Sequence, residues 1–116
     1  MFPPNYKAVN AAFNVRGRQV IFCYGDVIYN PSRVKIGDEL IAHEKVHSGR
    51  QNGDPVKWWE RYIGEPQFRL DEEIPAHRAE LAISGDLQGV AHKLSSPLYG
   101  SLISFDRAAQ ILAGCA

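Results

Sequence analysis

The sequence predicts an α+β fold in a single domain, and three observations carry that prediction. A run of β-branched and aromatic residues, Gln19 to Tyr24, is followed by Gly25-Asp26 and a second such run, Val27 to Tyr29, as in two short strands joined by a turn. From residue 38 onward the chain instead carries helix start and stop signals with helical spacing between them. At 116 residues it is long enough for one hydrophobic core and too short for two. With no internal repeat, low-complexity tract or dividing linker, residues 1–116 are expected to form one domain.

Taken in order, residues 1–7 read as an irregular lead-in containing Pro3 and Pro4. Ala8 to Asn14 fits a short strand or a helical turn. Gly17, between Arg16 and Arg18, marks a turn. After the two strands, Asn30-Pro31-Ser32 stops the extended chain. A helix follows at about residues 38–48, with Asp38 as its N-cap, Gly49 where it ends, and Leu40, Ile41, Ala42 and Val46 as apolar surface. The next helix covers Val56 to Ile63, with Asp54 as cap and Pro55 at the first helical position. Gly64 ends it and Glu65-Pro66 connects onward. Trp58 and Tyr62 are four apart and share a face, and Trp58 and Trp59 are expected to pack under the preceding helix. A third helix is expected from about Arg69 to Ser84, starting late or kinked at Pro75. Leu87 to Leu94 reads as helical, Ser95 to Pro97 as a break, Leu102-Ile103 as a brief extended segment, and Asp106 to Ala113 as the final helix.

Composition narrows the function classes. Thirteen basic residues balance thirteen acidic ones, so no overall field draws the chain to nucleic acid or to an anionic membrane. Cys23 and Cys115 form no close pair and read as free thiols of a reducing compartment. The amino terminus has no apolar segment of signal-peptide length, and no apolar run approaches a membrane span. The expectation is a cytoplasmic protein, with packaging in a virion left open.

One motif carries chemistry. Residues 43–47 spell His43-Glu44-Lys45-Val46-His47, a His-Glu-x-x-His pattern inside the expected helix. Helical residues four apart lie on one face, with Cβ atoms about 5–6 Å apart. Two imidazoles so placed can each reach one zinc ion at roughly 2.0–2.1 Å. Glu44 stands about 100° further round the helix. There it can accept a proton from water without ligating the metal. Leu40 shares the face of His43, Glu44 and His47, which suggests that this face lines a site. A catalytic zinc needs a third protein ligand and an open position. The remaining histidines are His77 and His92; the acidic candidates are Glu60, Glu65, Asp71, Glu72, Glu73 and Glu80. A phenol at Tyr29, on the strand before the motif, could assist a tetrahedral intermediate.

The segment Glu73-Ile74-Pro75-Ala76-His77 resembles the Glu-x-x-Ala pattern in which gluzincin-type peptidases present a ligand glutamate from a second helix. A metzincin would place its third histidine where Gly53 stands, so that family does not fit. Across residues 19–80 the order of strand, His-Glu-x-x-His helix, aromatic helix and glutamate helix resembles the minimal zinc-peptidase domains of bacteria and phages. The resemblance implies a small zincin-like fold, a short antiparallel sheet packed on the motif helix and the Glu-bearing helix. It also implies zinc held by His43, His47 and Glu73, with Glu44 as general base. Pro75 leaves the helical register open by one residue, so Glu72 competes with Glu73. His77, one turn after Glu73, is a candidate donor behind a ligand or stabiliser of an oxyanion. The implied activity is hydrolysis of a peptide or protein substrate, with the Val27 to Tyr29 segment as an edge for an extended chain. The alternative is a zinc-binding structural or interaction module, in a phage particle or a regulatory complex, with little or no turnover.

Overall fold

The computed structural model describes residues 5–14 and 20–114. Among them are six α-helices, one two-stranded antiparallel sheet and a 3-10 turn, which makes the domain α+β. The order is α1 (Tyr6–Phe13), β1 (Phe22–Tyr24), β2 (Val27–Tyr29), α2 (Asp38–Gln51), α3 (Pro55–Gly64), α4 (Pro66–Ser84), α5 (Leu87–Leu94), the 3-10 turn Pro97–Tyr99, and α6 (Phe105–Leu112). The turn expected at Gly17 and the second cysteine, Cys115, lie outside the described residues; Cys23 is a free, buried thiol.

The two strands pair as a hairpin with Phe22 opposite Tyr29, Cys23 opposite Ile28 and Tyr24 opposite Val27. Gly25 takes φ +61° at the first of the two turn positions, where a side chain would be strained. Strand β1 is shorter than its apolar run suggested, since Val20 and Ile21 lie outside it. The ambiguous Ala8 to Asn14 segment is helical, within α1, and Asn14 closes it in the left-handed region.

Several helix boundaries differ from the expected ones, each for a local reason. Gly37 is the N-cap of α2, so Asp38 lies in the first turn with Glu39, where the helix dipole favours acids. The helix passes through Gly49 and stops at Gln51, with Asn52 at φ +53° as its left-handed cap. For α3 the expected cap holds: the Asp54 side chain accepts the Lys57 N–H at 3.1 Å, and Pro55 begins the helix. Pro66 belongs to the first turn of α4 and not to a connection. Pro75 does not break α4, which continues to Ser84 and is capped by Gly85 at φ +67°. Leu102 and Ile103 form no strand; Ser104 caps α6 through its hydroxyl.

Two apolar clusters flank the helices. Val9, Phe13, Phe22, Trp58, Trp59 and Tyr62 join α1, β1 and α3; Trp58 stacks on Tyr62 at 4.8 Å between centroids. Val90, Ala91, Leu94, Ala108 and Leu112 join α5 and α6, with Leu70 and Ile74 of α4 against them. Helix α2 packs along α4, and α4 also meets α3, α5 and α6. Gln51, at the end of α2, pins the hairpin to that pair: its Oε1 accepts the Gly25 N–H at 2.7 Å, and its Nε2 donates to the Cys23 carbonyl at 3.2 Å. Among the described residues no helix is long and apolar enough to cross a membrane.

Replacing Gln51 by Ala removes both bonds and strands the Gly25 amide. The expected loss is about 1–3 kcal/mol of unfolding free energy, read from the urea midpoint. A midpoint unchanged by the substitution would show that Gln51 does not anchor the hairpin.

Candidate metal centre

The interface between α2 and α4 is polar. The buried side chains of α2 are His43, Glu44, His47 and Gln51. Those of α4 are Arg69, Glu72, Glu73, Ala76, His77 and Glu80, a stripe at three- and four-residue spacing along one face. Ala76 is completely buried and adds little bulk between the helices.

Glu73 sits at the centre, 2% exposed. Its Oε1 lies 3.1 Å from His43 Nε2 and its Oε2 lies 3.0 Å from His47 Nε2. The two Nε2 atoms are 3.2 Å apart. His77, with no exposed surface, donates from Nδ1 to the Glu73 backbone carbonyl at 2.7 Å, and that nitrogen is 3.3 Å from Glu73 Oε1. The Tyr62 hydroxyl donates to Glu73 Oε2. Behind the cluster, His43 Nδ1 faces Glu80 Oε1 at 3.0 Å, and Lys93 Nζ donates to Glu80 Oε2 at 2.7 Å. Glu44 is 4% exposed, and its carboxylate accepts no hydrogen bond among the described residues.

The adjacent glutamate has a different task. Glu72 accepts from Trp58 Nε1 at 2.6 Å and from Arg50 Nε and Nη2 at 2.9 and 2.6 Å. The helix register therefore brings Glu73, and not Glu72, to the histidines. Tyr29 does not join them: it stacks on Phe22 at 5.7 Å and lines neither cavity next to the histidines. His92 stacks on Phe105 at 4.3 Å, on the rim of a neighbouring cleft. Sequence reasoning gave no role to Tyr62 beyond packing and none to Glu80 beyond candidacy as a ligand. Tyr62 carried one legible signal, its place four residues after Trp58 on a shared face; in the structure Trp58 packs against His47 at 5.3 Å between centroids.

Electrostatics follow from the crowding. Burial works against the charge of Glu73, but attraction to His47 and the close imidazoles of His43, His47 and His77 hold it well below the usual carboxylate range. Burial likewise opposes a charge on His43, yet the close carboxylates of Glu73 and Glu80 carry its pKa up to about 10. Glu80 is brought down to about 2 against burial, by His43 and Lys93. Burial pushes Glu44 up, against the pull of His47 and His43.

These groups fit a zinc ion. Ligands held tetrahedrally at 2.0–2.1 Å lie roughly 3.3 Å from one another. Here Glu73 Oε1 stands 3.1 Å from His43 Nε2, Glu73 Oε2 stands 3.0 Å from His47 Nε2, and the two Nε2 atoms are 3.2 Å apart. Glu73 Oε1 has no hydrogen bond despite its near neighbours, while the unpaired His47 Nδ1 and His77 Nε2 belong to rings whose other nitrogens face Glu73. Atoms that crowd together without pairing are those an ion or an ordered water would satisfy. A carboxylate behind a ligating imidazole, as Glu80 stands behind His43, is a common support for such ligands. Protons and a divalent cation are alternative ways to neutralise this cluster.

Two spaces adjoin it. A small cavity of about 40 Å³ is lined by His43, Glu44, His47 and Glu73 with the aromatic cluster. A larger cleft of about 420 Å³ reaches His43 and Glu44 between Val20, Ile21, Val34, Leu40 and Leu98, with Lys93 at its rim. No protein-family model, curated protein or solved structure matches this chain.

The arrangement separates the two glutamates experimentally. Glu73→Ala is expected to abolish high-affinity zinc binding in a chelator competition, as is the double variant His43→Ala, His47→Ala. Glu72→Ala should leave zinc bound and lower thermal stability instead, because it strands the buried Trp58 N–H. Glu80→Ala is expected to weaken zinc about 10–100-fold, the usual effect of losing a group that orients a ligand. Equal zinc affinity in all of these variants and the wild type would remove the metal assignment.

Proposed function

We propose that the protein is a small zinc-dependent peptidase of gluzincin-like type, acting on extended peptide segments. The observation that carries the reading is the convergence of His43, His47 and Glu73 beside an unpaired, buried Glu44. His43, His47 and Glu73 would hold the metal, and His77, Tyr62 and Glu80 would fix those ligands in place. When bound, zinc supplies a Lewis acid that lowers the pKa of water to about 7 and polarises a carbonyl.

The remaining chemistry belongs to Glu44. Its carboxylate takes a proton from water as the water oxygen bonds to the scissile carbonyl carbon. It returns that proton to the leaving nitrogen as the C–N bond breaks, so the products are an acid and an amine. Burial favours this exchange by raising the pKa of Glu44 from the ordinary carboxylate value.

Substrate access supports an extended chain. The 40 Å³ cavity is of the size that holds water, whereas the 420 Å³ cleft is in the range of ligand sites, about 300–1,000 Å³. Val20 and Ile21 line the cleft, while Val27, Ile28 and Tyr29 do not, so the stretch before β1 is the better candidate to flank a bound peptide.

One observation favours the second reading, a zinc-held structural or interaction module. His77 is wholly buried with Nε2 unpaired, and a further protein ligand would close the metal to water. Glu44→Gln decides between the two. In a peptidase the variant keeps its zinc and loses about 10²–10⁴-fold in hydrolysis of a denatured protein substrate. In a module the zinc-loaded wild type cleaves nothing, and the substitution changes neither metal content nor fold.

A further inference from the structure

Tyr99 reaches the metal centre from a part of the chain that no motif covers. It ends the 3-10 turn Pro97–Tyr99, and it lines both the small cavity and the larger cleft, as do His43 and Glu44. Its position is braced through Arg69. The Arg69 guanidinium donates from Nη1 to the Tyr99 carbonyl at 2.7 Å, from Nε to the Tyr62 carbonyl at 2.9 Å, and from Nη2 to the Ile63 carbonyl at 2.9 Å. Gly100 follows with φ +99°, and a Cβ there would meet Arg69 Nη1 at 3.2 Å. The turn can close against the guanidinium because that residue is glycine. The Tyr99 ring packs edge-on to His77, with centroids 5.4 Å apart at 84°.

The neighbouring donors are committed. Tyr62 O–H is held by Glu73, Trp58 N–H by Glu72 and Trp59 N–H by the Cys23 carbonyl. Both ring nitrogens of His43 face carboxylates. The Tyr99 hydroxyl makes no hydrogen bond among the described residues. Burial, with Glu73, Glu44 and Glu80 nearby, holds its pKa well above that of an ordinary phenol, so the proton stays on the oxygen.

We propose that Tyr99 is a catalytic residue whose hydroxyl donates a hydrogen bond to the substrate carbonyl oxygen as that oxygen gains negative charge. The proposal rests on the peptidase reading above. Its physical basis is that a fixed donor in a site of little water stabilises developing charge without having to reorganise. Of the described side chains lining both spaces, Tyr99 alone offers such an uncommitted proton.

The test compares zinc-loaded wild type with Tyr99→Phe on a quenched fluorescent peptide that the wild type cleaves. A second measurement is the affinity of each protein for a phosphinic peptide, whose tetrahedral centre mimics the attacked carbonyl. Tyr99→Phe is expected to keep its zinc and its melting temperature. Its kcat should fall about 10²–10³-fold, the usual loss for one such donor, with KM changed less than about twofold. Phosphinic-peptide affinity should weaken by a similar factor. Equal kcat in both proteins overturns the role of Tyr99 and leaves the peptidase reading standing. Loss of zinc or of fold in Tyr99→Phe also overturns it, because the hydroxyl would then be structural. A zinc-loaded wild type that cleaves no peptide removes the peptidase reading, and the role of Tyr99 falls with it.

Discussion

One buried carboxylate, that of Glu73, organises this domain. It is 2% exposed and surrounded by His43, His47, His77 and the Tyr62 hydroxyl. Taking an ion out of water costs several kcal/mol, and that cost is recovered only if opposite charge and hydrogen bonds surround it closely. Helices α2 and α4 meet through this cluster, while the buried members of the two apolar clusters lie on other elements, with side chains of α4 against them. The contact is therefore sensitive to what neutralises Glu73. Protonated imidazoles can do so, as the raised pKa of His43 illustrates, and a divalent cation can do so with more charge and without hydrogen-bond alignment.

Helix α4 extends this arrangement to the rest of the molecule. Its buried stripe sends each charged side chain to a different neighbour. Arg69 holds the end of α3 and the Pro97–Tyr99 turn, and Glu72 ties Trp58 of α3 to Arg50 of α2. Glu80 joins His43 of α2 to Lys93 of α5. Removing one partner from such a network leaves a buried charge alone, which is more damaging than loss of an exposed pair. The polar stripe thus serves as the central scaffold while the two apolar clusters stabilise the flanks.

Much of this was legible in the sequence, but unevenly. The hairpin announced itself through β-branched residues around Gly25-Asp26, and the histidine pair through its four-residue spacing. Glu73 came from resemblance to a pattern. Its separation from Glu72 needed the helix register, which Pro75 obscured. That proline is tolerated because the carbonyl it leaves without an amide partner belongs to Asp71, an exposed residue that water can reach. Tyr29 lies away from the histidines because strand pairing sets it opposite Phe22, which carries it into the aromatic cluster. Glu80 and Arg69 were illegible for another reason. Each acts through a partner distant in sequence, and a buried polar face gives no hydrophobic periodicity to find.

Glu44 bears most directly on what the site is for. Every other buried carboxylate of the α2–α4 contact is paired: Glu72 with Arg50 and Trp58, Glu73 with Tyr62 and the imidazoles, Glu80 with Lys93 and His43. Glu44 is buried to the same degree and paired with none of the described residues. A structural brace gains nothing from such a group, and an apolar side chain of similar size would remove the desolvation penalty. A general base must keep its lone pairs free for a proton in transit, and a raised pKa brings it nearer the range where proton exchange is efficient. On the proposed peptidase reading, hydrolytic chemistry would account for the unfavourable burial of Glu44.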